Sequence, residues 1–187
     1  LQYEQKLIER QDKGYHWSNL RNCTYFEKFE QPKIIYPETT VRRSEFFLDT
    51  EGFYIDKTCF MITGEKLYYL TAVLSSKCIE WYLETELRLL GKNSIQYSKQ
   101  YIENVPVPDI DDEVIYKKLI NKVQLIKEQK LDSSKYENKI DALVFHLYNL
   151  TESEMLQVLD SFKELSIKDR NQIQNEYWNI ANNRFHL

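Results

Sequence analysis

Residues 101–110, Tyr-Ile-Glu-Asn-Val-Pro-Val-Pro-Asp-Ile ("YIENVPVPDI"), divide the chain into two kinds of pattern. Before them, short alternating runs surround one helical stretch; after them, every segment has helical period. Prolines at every other position predict a strand in which Pro106 and Pro108 remove N–H donors from one edge while Val105 and Val107 point to one face. Such an edge is closed to further pairing. The stretch is therefore expected to be a seam that ends a sheet and launches a helical cluster, rather than a linker or a free proline-rich ligand.

Working back from the seam, "PKIIYPE" (32–38), "EFFLDT" (45–50) and the longer "GFYIDKTCFMIT" (52–63) are rich in aromatic and β-branched residues and predict strands. Asp49-Thr50-Glu51-Gly52 predicts a turn joining the last two in a hairpin, with Gly52 supplying a positive φ. "EKLYYLTAVLSSKCIEWYLETELRLLG" (65–91) repeats apolar residues at Leu67, Leu70, Leu74, Cys78 and Trp81 or Tyr82 and ends at Gly91 in a C′-like position. Ser75-Ser76 predicts either a bend or a break into two helices, because serine caps helices. "KNSIQYSKQYIENVPVP" (92–108) predicts a return to loop and strand.

Beyond the seam, Asp111 or Asp112 is expected to cap a helix burying Val114, Ile115, Leu119, Ile120, Val123 and Ile126. Ser133 or Ser134 is expected to cap one burying Tyr136, Ile140, Leu143, Val144 and Leu147. Thr151-Glu152-Ser153-Glu154 has the spacing of a capping box, and Ser166-Ile167-Lys168-Asp169 opens a last helix through Ile173, Tyr177 and Ile180. The expected fold class is α+β: a mixed α/β region over 1–110 with short strands and one or two helices, then an all-helical cluster over 111–187.

The 187 residues are 42% hydrophobic, with only 4 Gly and 4 Pro against 14 Tyr and 9 Phe, which supports a real core and argues against disorder. Leu1 and the charged, helix-compatible pattern that follows suggest a piece of a longer protein without a signal peptide. No run approaches the roughly 18 apolar residues of a membrane span, so a soluble cytoplasmic protein is expected, with no membrane partner. Cys23, Cys59 and Cys78 lack CxxC spacing and are expected to be reduced thiols, chiefly small buried hydrophobes.

No catalytic site is evident. His16, His146 and His186 are isolated, and HExxH, CxxC, GxSxG, P-loop and GxGxxG patterns are all absent. The acids Asp109, Asp111, Asp112 and Glu113 are better explained by a helix N-terminus than by a metal. The net charge of −4 excludes nucleic-acid binding through bulk basicity, yet the charge is uneven: 14 Lys+Arg against 15 Asp+Glu through Pro108, then 11 against 14. An anion-binding face therefore belongs to the first part. There "TTVRRSE" sets Arg42 and Arg43 beside hydroxyls, and arginine's planar fork suits guanine edges or phosphates. "GKNSIQYSKQY" offers Lys92, Asn93, Ser94, Gln96, Tyr97 and Lys99 with no acid among them. Asn and Gln can read adenine, Lys can hold phosphate and Tyr can stack, although a solvated polar loop has the same composition. With Lys57, these give the expected DNA-binding set: Arg42, Arg43, Lys57, Lys92, Asn93, Gln96, Tyr97 and Lys99.

In their order along the chain, these segments resemble the TaqI-like C-terminal specificity (target recognition) domain of bacterial adenine-N6 DNA methyltransferases and type IIG restriction-modification enzymes. "GYHWSNLR" is similar to a W-x-x-L-R signature, "FEKFEQPKIIYPETT" to the family's P-K-I strand, and "FFLDTEGFYIDKTCFMIT" to its hairpin. "YYLTAVLSSKCIEWYL" resembles "YLLAILNSKL" with Ser75 in place of Asn, "YIENVPVPDI" resembles "YLENIPIP", and "ENKIDALVFHLYNLTESEMLQVL" resembles "ID-LVY-LYGLT-EE". The likeness spans roughly residues 1 to 160. It implies a specificity segment for double-stranded DNA in a bacterial defence system, and a parent chain whose catalytic methyltransferase domain flips and methylates adenine, with or without cleavage. Neither N-P-P-[YF] nor a Gly-rich loop is in this sequence, so no cofactor is expected in this segment, and S-adenosylmethionine is expected in the catalytic domain. Two other readings stand beside it: half of a type I restriction specificity subunit, and a protein-interaction module without DNA binding.

Overall fold

The computed structural model describes residues 3–11, 13–19, 23–40, 45–87, 89–90, 94–110, 112–128 and 133–184. A short helix α1 (Glu4–Ile8) and a 3-10 turn (Phe26–Phe29) lead into six short strands: β1 (Lys33–Pro37), β2 (Thr39–Thr40), β3 (Phe47–Asp49), β4 (Cys59–Ile62), β5 (Leu89–Leu90) and β6 (Ser94–Gln96). Between β4 and β5 run α2 (Leu67–Leu74) and α3 (Lys77–Glu86). After β6 come α4 (Lys99–Ile102), α5 (Glu113–Glu128), α6 (Ser134–Leu147), α7 (Glu152–Ser161) and α8 (Ile167–Arg184). This is an α+β fold with a C-terminal helical cluster, as the patterns predict.

The strands form two antiparallel three-stranded sheets, ordered β3-β1-β4 and β2-β6-β5. Alternation along β1 buries Ile34 and Tyr36 on one face, and the chain then passes through Glu38 straight into β2 of the other sheet. The expected hairpin is corrected here: β3 and β4 never pair, because β1 lies between them. Gly52 does take a positive φ of 81°, but the turn it sits in is organised by Asp49, whose Oδ1 accepts from the Glu51 N–H (2.8 Å) and whose Oδ2 accepts from the Phe53 N–H (2.8 Å). Those bonds curl the chain away from a ladder, so only Cys59–Ile62 of the long "GFYIDKTCFMIT" run is strand.

Local caps explain the helices. Ser76, extended and buried, accepts from the Ile79 N–H and starts α3, so the double serine divides two helices. The second of them ends at Glu86, ahead of the predicted stop at Gly91, because Leu87 turns extended and leads into β5. Asp112 caps α5 through the Val114 and Ile115 N–H groups, and Thr151 with Glu154 forms a complete capping box on α7. Ser166 accepts from the Asp169 N–H (3.0 Å) at the start of α8. Ser133 precedes α6 without a side-chain cap; its hydroxyl donates to Glu137 instead. Ile115, Leu119 and Val123 are buried on α5 as expected, whereas Val114 is 61% exposed, since its place in the first turn falls off the packed stripe.

The strand expected at the seam is corrected as well. Tyr101 and Ile102 close α4, and residues 105–110 pair with no strand. Val105 is buried and Val107 packs half-buried against the core, so the seam is held by side chains and by carbonyls: the Tyr148 hydroxyl donates to Pro106 O (2.7 Å) and the Tyr69 hydroxyl to Pro108 O (2.6 Å). Burial, then the Asp109 charge, pushes the Tyr69 phenol up to about 12, and burial raises Tyr148 further, so both remain neutral donors at ordinary pH. The hydrophobic core runs without interruption across this point, from Ile34 and Leu83 to Leu119, Phe145 and Ile173.

Two buried ion pairs fix the arrangement. Lys33 and Asp49 are both fully buried and bonded to each other, and the Lys33 ammonium also donates to Phe29 O (2.5 Å), tying the 3-10 turn, β1 and β3 together. Asp141 of α6 accepts from the Lys77 N–H (2.8 Å) and pairs with its ammonium (3.2 Å), clamping α6 onto the start of α3. Burial acts to raise the Asp49 carboxyl, but the Lys33 bond and the two backbone N–H groups outweigh it and hold it below the ordinary aspartate range. The folded state thus binds fewer protons than the unfolded one. The pair's contribution is complete above an unfolded aspartate value of about 4 and is lost as pH falls through the lower folded value. Lys33→Met and Asp49→Asn are each expected to cost about 3–5 kcal/mol at pH 7, with the double variant less destabilised than their sum. Urea denaturation of the cycle at pH 7 and pH 3 checks both points: the native protein loses stability on acidification, and Asp49→Asn loses less.

Candidate nucleic-acid interface

Glu38 joins the two sheets. The Glu38 N–H donates to Thr58 O (2.8 Å), and the Tyr97 N–H donates to Glu38 O (2.8 Å), so the ends of β4 and β6 are stitched to the point where β1 becomes β2. In β2, Thr39 faces Gln96 and Thr40 faces Ile95, while in the β5–β6 pair Leu90 faces Ser94. Because β2 and β6 run antiparallel, the end of β2 and the start of β6 share one end of the second sheet. Thr40 and Ser94 are therefore neighbouring anchors for segments 41–44 and 91–93. Arg42, Arg43, Lys92 and Asn93 belong to those segments and lie outside the described residues.

The remaining predicted residues flank Glu38. Lys57 is exposed beside Thr58, in a turn where the Asp56 carboxylate accepts from the Thr58 N–H (2.8 Å) and hydroxyl (2.5 Å). Those bonds, aided by Lys57, lower the Asp56 carboxyl and keep it ionised, so Lys57 stands next to a fixed negative charge. Gln96 is half-buried in the central strand of the second sheet. Lys99 opens α4, 72% exposed, in an i,i+4 pair with Glu103 at 3.1 Å; an exposed pair of this kind holds weakly and leaves the lysine free to take another partner.

Tyr97 requires correction. It is 1% exposed and its ring packs 6.0 Å from that of Phe46, so it is a core residue with no face for a base. The polar loop around it gave the opposite impression because a strand turns every second side chain inward, and Ile95 and Tyr97 are the inward pair.

An aromatic surface goes unnoticed in the sequence reading. Tyr25, Phe26, Phe53 and Tyr54 are each about half exposed, Tyr54 stacks on Phe29 (5.2 Å, 19°) and meets Phe26 (5.5 Å), and its hydroxyl donates to Glu30 (3.1 Å). The doublets "YF" and "FY" were its signal, since adjacent aromatics cannot both face one core. This surface lies at the Lys33 end of β1, four residues from the Pro37 end that leads into Glu38, a separation of roughly 13 Å at strand rise.

Among the described residues no group of three or more His, Cys, Asp or Glu side chains is placed to hold a metal ion. His146 is buried, stacks on Tyr177 (4.2 Å, 10°), and its Nε2–H donates to Tyr177 O (2.7 Å), which is a packing role joining α6 to α8. Cys23, Cys59 and Cys78 are free, and burial followed by the Asp141 charge pushes the Cys78 thiol up to about 12. No described helix is long and apolar enough to cross a membrane.

Compared with known proteins, residues 1–107 match the family model described as TaqI-like C-terminal specificity domain. No curated protein matches the chain.

The division between core and surface is measurable. Tyr97→Ala is expected to lower stability by about 3–5 kcal/mol, whereas Lys57→Ala and Lys99→Ala should each stay within about 0.5 kcal/mol, in urea melts at neutral pH.

Proposed function

The chain belongs to the family of TaqI-like C-terminal specificity domains, and from that premise we propose that its α/β part reads double-stranded DNA for a catalytic domain carried elsewhere in the parent protein. The family membership gives it a specificity role in restriction-modification. The finer reading is that segments 41–44 and 91–93 enter a groove, with Arg42, Arg43, Asn93 and Gln96 meeting base edges and Lys57, Lys92 and Lys99 meeting phosphates. One observation supports it above the rest: Thr40 and Ser94, the residues that border the two segments, lie at the same end of the second sheet although they are distant in sequence.

The chemistry of such a domain is positioning. It holds the duplex so that a methyltransferase domain can extrude its target adenine, and S-adenosylmethionine and any cleavage chemistry belong to that other domain. The acidic balance of the segment fits a division in which the catalytic domain shares the phosphate contacts.

Fluorescence anisotropy with labelled duplexes tests this reading on the parent protein. Arg42→Ala with Arg43→Ala should weaken specific binding by about 1–3 kcal/mol per lost base contact and relax discrimination, while Lys57→Ala with Lys99→Ala should weaken all duplexes alike and flatten the salt dependence. Unchanged affinity and an unchanged methylated site in the arginine variant would remove those residues from the interface. Partner binding that survives saturating specific DNA would favour a protein-interaction module instead.

A further inference from the structure

The cluster of α5, α6 and α8 carries a half-open cleft of about 460 Å3 in the acidic part of the chain. Its floor is apolar, made by Ile115, Leu143 and Ile180, and Val114 stands 61% exposed beside them. Its sides are basic. Lys118 and Lys122 lie one turn apart on α5, and Lys139 reaches in from α6. Lys139 is paired with Glu176 of α8 at 3.2 Å, whereas no carboxylate among the described residues lies within ion-pair distance of Lys118 or Lys122. Burial first, then Lys139, lowers the Lys122 ammonium from the ordinary lysine value; Glu176 opposes the shift while Lys118 and Lys135 add to it. Around this apolar trough the three lysines outnumber the two acids of the lining, Asp112 and Glu176.

Two kinds of anion could balance that excess, and the cleft favours one. A duplex presents a convex, wholly polar phosphate surface that gains nothing from Ile115, Leu143 and Ile180. A peptide with carboxylates beside apolar side chains satisfies both the walls and the floor. We propose that this cleft docks an acidic amphipathic segment of a partner polypeptide, with its apolar side chains on Ile115, Leu143 and Ile180 and its carboxylates on Lys118 and Lys122. Every lining residue falls beyond the family match at 1–107, so the site goes beyond the specificity role and stands or falls separately from it.

The test pans the full chain against a display library of short peptides randomised among Asp, Glu, Lys, Leu and Ser, and then titrates the enriched peptide, fluorescently labelled, by anisotropy. The expected consensus pairs Asp or Glu with Leu. Its affinity should fall about tenfold or more in Lys118→Gln with Lys122→Gln, be kept by Lys118→Arg with Lys122→Arg, and weaken with salt, while thermal melts of all three proteins coincide. A consensus without acids, the lack of any consensus, or equal binding to the glutamine variant would overturn the proposal. So would displacement of the peptide by a short DNA duplex, which would assign the lysines to DNA. Loss of DNA reading in the Arg42 and Arg43 variants leaves this outcome unaffected, so the two ideas fail independently.

Discussion

A lysine and an aspartate with no access to water hold the first half of this protein in register. A lone buried charge is far too costly to tolerate, so Lys33 must meet Asp49, and a slip of one residue between β1 and β3 would strand both. The same carboxylate gathers the Glu51 and Phe53 N–H groups, and the same ammonium takes Phe29 O. With β1 pinned, the position of Glu38 follows, and through Glu38 the junction of the two sheets and the place where β2 meets β6. The candidate DNA-reading edge is therefore fixed from the far end of a single strand.

The second half is joined to the first by a comparable device. Lys77, the first residue of α3, meets Asp141 in the middle of α6, and the Tyr69 and Tyr148 hydroxyls hold the carbonyls of Pro108 and Pro106. Prolines suit this seam for a reason different from strand-edge protection. A chain that crosses between a sheet and a helical cluster leaves backbone groups without ladder partners, and each proline there has only its carbonyl to satisfy. Asn149 shows the same economy. It ends α6 with φ +54° in a Schellman arrangement, its N–H on His146 O (3.1 Å) and the Leu150 N–H on Phe145 O (3.0 Å), where the resembling "LYGLT" pattern has glycine. Asparagine is the side chain that best tolerates that conformation.

What was legible in the sequence follows the range of the interaction. Caps are local: Ser76, Asp112, Thr151 and Ser166 each satisfy N–H groups within three residues, and all four starts were readable. Helix stripes were readable for the same reason. Strand partners are not local, and two β-prone runs joined by a short turn look like a hairpin unless a third strand is known to separate them, as β1 does. Polar surroundings likewise concealed Tyr97, whose burial depends on Phe46 some fifty positions away. Of the predicted contact residues, the exposure of Lys57 and Lys99 follows from their charge, but their closeness to Glu38 rests on hydrogen bonds that no spacing encodes.

The second sheet takes its place from the rest of the fold. Its strands are two or three residues long, too short to stand alone, so it depends on the burial of Ile95 and Tyr97 and on the Glu38 carbonyl. The constraint on this sheet runs back through Glu38 to the buried pair at the other end of β1.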